Sequence, residues 1–258
     1  MSLRMQETAR TGANEIPASD AERAARVELA ACYRIFDMLG WTELIFNHIT
    51  LRVPGPERVF LINPFGLHYQ EVTASNLVAV DTDGVPVRPG QHAINRAGFV
   101  IHSAIHENLP NAHCVMHTHT TAGSAVAGLD SGLLHDSFYG AILNGRVAYH
   151  EFEGITVRLE EQQRMLQSIG DKRAVILRNH GLLSIGGTIA EAFMWLWTLQ
   201  RACEIQIATT SAGTPRRLQP HVHERAARGA GAAEPIVGEM VFAALKRKLD
   251  KMDQSYRE

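Results

Sequence analysis

Two kinds of hydrophobic pattern alternate along this chain. In some segments apolar residues recur every three or four positions, which places them on one side of an α-helix. In others they form short runs bounded by turn-forming residues, which is typical of strands. Helices are therefore predicted over 20–39, 91–107, 160–169, 190–210 and 236–252, and strands over 47–53, 58–62, 77–80, 115–119, 174–177 and 182–185. Because helices and strands are interspersed, the pattern favours an α/β layered fold.

The pattern also divides the chain into four segments. Residues 1–18 are polar and are predicted to be a flexible N-terminal arm without the apolar core of a signal peptide. Residues 19–211 carry most of the periodic elements and form the main domain, in which the helix over 190–210 is apolar on more than one side and should be buried. Residues 212–233 are rich in Gly, Pro, Ala and Arg and are predicted to be a flexible connector. Residues 234–258 contain an amphipathic helix, expected to pack on the domain or on a neighbouring subunit.

The composition narrows the classes of partner. A chain of 258 residues with 45% hydrophobic residues and a net charge of −2 suits one large folded domain. No basic block and no run of about 20 apolar residues occurs, so neither nucleic acid nor a membrane is an expected partner. Cys32, Cys114 and Cys203 are far apart in apolar stretches, which is typical of buried, reduced thiols in a cytoplasmic protein.

Three histidines form a candidate metal site. His117 and His119 are two residues apart in a predicted strand, so their side chains point to the same face. His180 follows another predicted strand, in the turn Arg178-Asn179-His180-Gly181. Three imidazoles that leave a coordination position open are typical of a catalytic metal site. The alternative is coincidence, because the chain has 13 histidines.

Five segments in this order resemble the class II aldolase and adducin family, in particular its adducin-like bacterial branch. They are Phe46–Thr50, Ile62–Gly66 running on to Val80–Gly84, His102–His106, Met116–His119 and Arg178–Gly181. The resemblance implies a three-layer α/β/α fold with a central mixed, largely antiparallel sheet. It also implies a homotetramer with active sites at the subunit interfaces. One divalent ion would be bound by His117, His119 and His180, with zinc expected first and manganese or iron as alternatives.

One position departs from the family pattern. Aldolases of this family carry a glutamate 19 residues before the first histidine of the pair, where it acts as general acid and base. The chain has Gly98 there, and Arg96 and Ala97 stand where the family has phosphate-binding serines. Glycine cannot transfer a proton, so the sugar-phosphate aldolase reaction is disfavoured.

The intact histidines and the absent carboxylate together suggest a carbon–carbon lyase. A small hydroxy or keto acid can chelate a divalent ion, which then stabilises the enolate left by bond cleavage. Decarboxylation is favoured over aldol cleavage, because carbon dioxide leaves without a general base. The alternatives are a class II sugar-phosphate-type aldolase and a non-catalytic, adducin-like assembly protein.

Four residues are candidates for binding the substrate. Arg96 is expected to hold a substrate carboxylate through two parallel hydrogen bonds. Asn47 resembles the family residue near the anionic end of the substrate, or it is a buried turn residue. Asn63 and Gly66 lie in a loop that either donates backbone N–H groups to an anion or is a plain tight turn.

Four further side chains carry chemistry of their own. His150 is a candidate for proton delivery near the metal, and Tyr139 is a candidate to donate its hydroxyl to a neighbouring site. His102 and His106 have the spacing of a helical zinc motif, but Ser103 stands where that motif requires Glu. We therefore expect His102 to be a structural, hydrogen-bonded residue and His106 to lie at the surface.

Overall fold

The computed structural model describes residues 19–55, 58–88, 90, 92–154, 159–231 and 234–258. The helices are α1 Asp20–Met38, α2 Arg96–Asn108, α3 Thr121–Ala127, α4 Phe138–Ile142, α5 Leu159–Ile169, α6 Ile189–Ala212, α7 Pro220–Gly231 and α8 Glu234–Met252. The strands are β1 His48–Arg52, β2 Phe60–Ile62, β3 Val78–Val80, β4 Cys114–Thr118, β5 Val147–His150, β6 Ala174–Leu177 and β7 Gly181–Gly186. Short 3-10 helices cover Tyr69–Glu71 and Ser255–Arg257.

The seven strands form one sheet in the order β3-β2-β1-β4-β7-β6-β5. Every neighbouring pair is antiparallel except β5 with β6. One face of the sheet is covered by apolar residues of α2 and α5, and the other by those of α1, α3, α6 and α8. This confirms the predicted three-layer α/β/α fold with a mixed, largely antiparallel sheet.

Helix α1 begins where the sequence predicts. Ser19 caps it, since the Ser19 side chain accepts a hydrogen bond from the backbone N–H of Glu22. The Glu22 carboxylate is buried and pairs with Arg26 and with Arg88 at 2.8 Å each. Arg26 in turn donates to the carbonyl of Leu77 at 2.6 Å. These contacts fasten the start of α1 to the segment around β3.

Helix α2 is shorter at its N-terminus than predicted. The prediction starts at residue 91, whereas the helix begins at Arg96, after an N-cap formed by Asn95. The Asn95 side chain accepts from the backbone N–H of Gly98 at 3.4 Å. An asparagine at this position satisfies one of the free N–H groups of the first turn, which fixes the start of the helix.

Helix α6 lies between the sheet and the C-terminal helix. Phe193 of α6 packs against Trp41, with ring centroids 5.9 Å apart, and against Phe242 of α8 at 5.8 Å. Lys246 of α8 pairs with Glu28 of α1. Helix α6 is therefore buried on two sides, as its pattern predicts, and α8 packs on the main domain.

The segment 212–233 differs from the flexible connector that its composition predicts, because it includes helix α7. Asp136 holds the stretch that leads into this helix. Its carboxylate accepts from the backbone N–H of Leu218 at 2.9 Å and pairs with Arg217 at 2.8 Å. The correction has a physical reason: the alanines and arginines of this segment are good helix formers, and a long-range carboxylate contact orders its start. Residues 1–18 and 232–233 lie outside the described residues.

All three cysteines are buried free thiols, as predicted. Burial raises the pKa of each of them, to about 12 for Cys203. No helix in the described ranges combines the length and apolar character needed to cross a membrane.

Candidate metal centre

The three histidines converge from two places in the fold. His117 is in β4, which is paired on both sides, with β1 and with β7, and His119 follows the end of that strand. His180 lies in the turn between β6 and β7. Gly181, which follows it, lies so close to β4 that a Cβ atom there would be 2.3 Å from the carbonyl oxygen of Thr118. A glycine is therefore needed to bring the turn against the strand.

Backbone contacts hold the turn that carries His180. Asn179 adopts a φ of 55°, a left-handed conformation that asparagine tolerates better than most residues. Its N–H donates to the carbonyl of Ala127 at 3.1 Å, and the N–H of His180 donates to Leu177 at 3.1 Å. The Ser124 hydroxyl donates to the carbonyl of His180 at 3.0 Å. The third imidazole is thus fixed by the fold.

The ring nitrogens of the three histidines meet at one point. The Nε2 atoms of His117 and His119 are 2.7 Å apart, and those of His119 and His180 are 2.9 Å apart. His117 Nδ1 lies 2.8 Å from the carbonyl oxygen of Leu182, so this nitrogen is the N–H donor and Nε2 carries the lone pair. An imidazole oriented by a second hydrogen bond in this way is typical of metal ligands. The donor set therefore fits a divalent ion.

The electrostatic surroundings keep these imidazoles neutral. Burial, together with a smaller effect of neighbouring histidines, lowers the pKa of His180 to about 4 and that of His117 well below its usual value. Burial also lowers the pKa of His119, although the Glu43 carboxylate acts in the opposite direction. Neutral imidazoles are the form that binds a metal.

The triad lies in the wall of an open cavity of about 730 Å³. Glu43 contributes a carboxylate to the lining, and three partly exposed phenylalanines, Phe46, Phe65 and Phe152, also line it. Helix α2 contributes Gly98 and His102. A small molecule in this cavity would contact both the triad and one face of α2.

Gly98 is in contact with a further imidazole, that of His48. A Cβ atom at residue 98 would lie 2.2 Å from the His48 ring, far closer than atoms can approach. His48 pairs with His117 across β1 and β4, and it lines the cavity. Neither of its ring nitrogens has a hydrogen-bond partner among the described residues. An imidazole therefore occupies the space into which a carboxylate side chain at residue 98 would extend.

Behind His48 a chain of hydrogen bonds runs along the inner face of α2. The Thr50 hydroxyl lies 2.8 Å from His102 Nδ1 and 2.7 Å from His106 Nε2. His106 Nδ1 lies 2.5 Å from the carbonyl oxygen of Ala112. The prediction that His102 is hydrogen-bonded is confirmed. The prediction that His106 lies at the surface is wrong: it is 2% exposed, because it is one turn after His102 on the face of α2 that packs on β1.

Comparisons with known proteins agree with this fold and this cluster. Residues 27–207 match the family model described as Class II Aldolase and Adducin N-terminal domain. The chain belongs to this family. It is 43% identical to an aldolase II superfamily protein from Pseudomonas syringae whose crystal structure covers 93% of this chain and 98% of its own, with a TM-score of 0.90. An L-fuculose 1-phosphate aldolase from Glaciozyma antarctica is 28% identical, with a TM-score of 0.80 over 95% and 97% of the two chains.

The relatives of this chain also include adducins. Alpha-adducin of Rattus norvegicus is 43% identical over 93% of this chain, which spans 35% of the adducin. The chain is thus more similar to this adducin and to the Pseudomonas syringae protein than to the fuculose phosphate aldolase. That ranking agrees with the adducin-like branch expected from the motifs.

Two of the residues predicted to bind the substrate form hydrogen bonds with other parts of the protein. The side chain of Asn63 is buried and accepts from the Tyr33 hydroxyl at 2.9 Å. Asn47 is also buried, and its Nδ2 donates to the carbonyl of Trp41 at 3.3 Å. Neither side chain is among the described residues that line the cavity. In this structure both side chains contact other parts of the protein, and their role in substrate binding stays a prediction.

The other two predicted substrate-binding residues are beside the cavity. Gly66 follows Phe65 and has a φ of 101°, so its backbone conformation favours glycine, while a Cβ there would meet no atom within 4 Å. Arg96 is exposed at the start of α2, next to Asn95, which lines the cavity. The structure thus places Arg96 near the rim.

The two residues predicted to deliver protons lie away from the triad of the same chain. His150 ends β5, three strands from β4, and its Nδ1 lies 3.1 Å from the hydroxyl of Ser168. Tyr139 lies on α4 and lines a separate apolar cavity of about 310 Å³. Neither residue is among the described residues that line the cavity at the triad.

Sequence reasoning missed two chemically capable residues of the cavity, Glu43 and His48. His48 is part of the motif segment Phe46–Thr50. Placing its side chain on the same face of the sheet as that of His117 requires knowledge of the pairing of β1 with β4. Glu43 precedes a turn at Leu44, which has a φ of 50°. No periodic pattern in the sequence marks this turn.

Proposed function

We propose that this protein is a divalent-metal-dependent carbon–carbon lyase that acts on a small hydroxy or keto acid. The observation that carries the proposal is the convergence of three neutral, oriented imidazoles in the wall of an open cavity. His117, His119 and His180 would hold the ion, for which zinc is our first expectation and manganese or iron the alternatives. When bound, the ion supplies Lewis-acid stabilisation of the negative charge that develops on the substrate oxygen.

Decarboxylation is favoured over aldol cleavage because residue 98 cannot carry an acid or base. The ring of His48 occupies the space in front of Gly98, so the difference from the aldolase pattern extends to the shape of the cavity. Loss of carbon dioxide requires no base for its first step, and only the later protonation of the carbon needs a donor. The carboxylate that does line the described cavity, Glu43, comes from the loop before β1.

Arg96 is our candidate for holding the substrate carboxylate. It is exposed at the start of α2, beside the cavity. A planar guanidinium binds a carboxylate through two parallel hydrogen bonds, which lysine cannot reproduce. In Arg96→Lys we expect KM for the acid substrate to rise about tenfold with a smaller change in kcat. Unchanged KM would remove Arg96 from the site.

We further propose a homo-oligomer, with a tetramer favoured. The support is that members of this family are often oligomeric and that the surface around α4 and the start of α8 is apolar. This surface, the α4–α8 patch, consists of Phe138, Ile236, Val237 and Met240, all exposed in the single chain. Tyr139 is next to Phe138, so an interface here would bring the Tyr139 hydroxyl close to another subunit.

The experiment that tests the lyase is metal analysis joined to a product screen. The purified protein is analysed for zinc, manganese and iron, and is then incubated with a panel of hydroxy and keto acids while carbon dioxide and aldehyde are measured. Metal at about one ion per chain together with release of carbon dioxide supports the proposal. Release of aldehyde without carbon dioxide would favour aldol cleavage instead.

The second candidate function is a non-catalytic assembly protein. The observation that favours it is the 43% identity to alpha-adducin over most of this chain. If the protein retains no metal and converts no member of the panel, this candidate replaces the lyase.

A further inference from the structure

His102 lies one helical turn after Gly98, the position of the absent carboxylate. Residues 98 and 102 are four apart, so their side chains share one face of the helix. Helical side chains lean toward the N-terminus, so the His102 ring lies over the turn that contains Gly98. Both residues line the cavity, and the rings of His102 and His48 are in contact, with centroids 4.2 Å apart.

The hydrogen-bond chain behind His102 fixes which of its nitrogens carries the proton. Burial lowers the pKa of His106 to about 4, so its ring is neutral at neutral pH and has one N–H. The carbonyl of Ala112 can only accept, so that N–H is at Nδ1 of His106 and its Nε2 is an acceptor. The Thr50 hydroxyl must then donate to His106.

The same argument then determines which nitrogen of His102 carries a proton. Because the Thr50 hydrogen is committed to His106, the Thr50 oxygen accepts from Nδ1 of His102. Burial lowers the pKa of His102 as well, so its ring is neutral and its Nε2 carries a lone pair. That Nε2 atom is buried and has no hydrogen-bond partner within the described part of the chain. A buried acceptor without a partner is costly, which suggests that a ligand supplies the donor.

We propose that His102 is a specificity-determining residue of this cavity, whose Nε2 accepts a hydrogen bond from a substrate hydroxyl group adjacent to the carboxylate. This inference rests on the proposed function and narrows its substrate class from hydroxy or keto acids to acids with a hydroxyl group at C2. The carbonyl that takes up the electron pair when carbon dioxide leaves then lies at C3, because a hydroxyl-bearing carbon alone cannot form an enolate. A keto oxygen at C2 offers no hydrogen and would place one acceptor against another. A hydroxyl group satisfies the orphan nitrogen, and the chain from Ala112 to Thr50 prevents His102 from becoming a donor.

The proton positions are tested by neutron diffraction from deuterated crystals of the full chain, without any variant. We expect a deuteron on Nδ1 of both His102 and His106, and none on Nε2 of His102. A deuteron on Nε2 of His102 would overturn the inference. This result is independent of metal content and of turnover.

The recognition itself is tested by calorimetric binding of two probes to the zinc-loaded protein: lactate, and 2-methoxypropanoate, in which a methyl group replaces the hydroxyl hydrogen. We expect lactate to bind about tenfold more tightly, equivalent to about 1.4 kcal/mol. In His102→Phe the ratio of the two binding affinities should fall below about threefold, since phenylalanine keeps an aromatic ring but has no hydrogen-bond acceptor. An unchanged affinity ratio in this variant means that His102 does not recognise the substrate hydroxyl group.

A second variant tests the tautomer chain without altering His102. Thr50→Val removes the hydroxyl that links the two histidines, and the lactate preference should again decline. Thr198→Val is the matched control, because Thr198 is a buried threonine in α6 whose hydroxyl donates to the carbonyl of Met194. It should retain the wild-type ratio. Equal ratios in both threonine variants would contradict the role of the chain.

Failure of the inference is distinguishable from failure of the lyase. If zinc is retained and neither probe binds, no hydroxy acid reaches His102 and the inference is overturned. If zinc is not retained, the proposed function fails first, and the deuteron positions still decide whether His102 presents an acceptor.

Discussion

At the scale of single residues, the buried histidines around the cavity fall into two groups according to what their nitrogens contact. His117, His119 and His180 direct Nε2 atoms toward one another, whereas His102 and His106 are joined through Thr50. An ion would satisfy the first arrangement, because neutral imidazoles that meet through lone pairs repel one another. The second is largely satisfied by the protein itself.

The first residue-scale prediction concerns the metal. In His119→Ala one of three ligands is lost, so bound metal should fall at least tenfold while the fold and the oligomer persist. Metal per chain is measured by elemental analysis, and circular dichroism reports the fold. His113→Ala removes an exposed histidine and is the control. Equal metal content in the two variants would mean that the ligands lie elsewhere.

The second residue-scale prediction concerns pH. Burial lowers the pKa of His106 from 6.5 to about 4, so between these values the unfolded chain binds more protons than the folded one. The free energy of unfolding should therefore decrease as the pH falls through that window, by up to about 1.4 kcal/mol per pH unit for this group. Urea titrations across the window, with a chelator present, measure the slope.

The control for this pH dependence is a pair of substitutions. His106→Gln removes the titrating ring and should reduce the slope, whereas His221→Gln, at an exposed position of α7, should leave it unchanged. If both variants retain the wild-type slope, other buried groups dominate the acid sensitivity.

How far the sequence predicts the site differs from residue to residue. The shared face of His117 and His119 was predictable because a two-residue spacing on a strand has one geometric outcome. His180 was a candidate from its turn after another predicted strand, and the resemblance joined it to the pair. The burial of His106 was not predictable, since a histidine in a helix can face solvent or the sheet. Only the docking of α2 on β1 decides between these two environments. Glu43 depends on a loop with a left-handed residue, which no periodicity encodes.

At the scale of elements, the contact of α2 with β1 decides the shape of the cavity. The helix approaches so closely at Gly98 that the His48 ring occupies the space of a side chain. An alanine in the middle of a helix is ordinarily preferred over glycine by about 1 kcal/mol. At this position the steric conflict opposes that preference.

Two glycine substitutions test this contact. Gly98→Ala should destabilise the protein by about 2 kcal/mol, because the His48 ring must move. Gly229→Ala, at an exposed position in α7 with no atom within 4 Å of the added methyl group, should be neutral or stabilising by about 0.5 kcal/mol. Urea unfolding of both variants gives the difference. Equal stabilities would show that α2 and β1 can separate at no cost.

Most elements were predictable from their patterns, and the exceptions have identifiable causes. The apolar runs of β4, β6 and β7 clearly indicate strands, and the long stretch of helical periodicity in α6 clearly indicates a helix. The short helices α3 and α4 contain five to seven residues and are determined by caps and by packing rather than by a repeating pattern. Helix α7 was obscured by its Gly and Pro content, which is concentrated at its ends.

At the scale of the whole molecule, the order of the strands could not be derived from the chain alone. Strand β4 lies between β1 and β7, which are distant in sequence, and this placement brings His48 beside His117. The three-layer arrangement came from the resemblance, and the structure supplied the register. The site thus depends on long-range pairing that local patterns do not contain.

The prediction at this scale concerns assembly. Phe138 is 73% exposed in the single chain and lies in the α4–α8 patch. If this patch is an interface, Phe138→Asp should shift the protein toward smaller species in analytical ultracentrifugation, because burying a charge is costly. Met252→Asp changes an exposed methionine at the far end of α8 and should not. Identical sedimentation of both variants and the wild type would place the interface elsewhere.

The burial of the three thiols has a practical consequence for following this molecule over time. A thiol is modified by alkylating reagents as its thiolate, and Cys32, Cys114 and Cys203 are protonated and shielded by the core. Each cysteine contributes to the packing around a different element, α1, β4 or α6. The rate at which each cysteine is alkylated, measured by mass spectrometry, therefore reports how often the surrounding part of the core opens. No additional probe has to be attached to the protein.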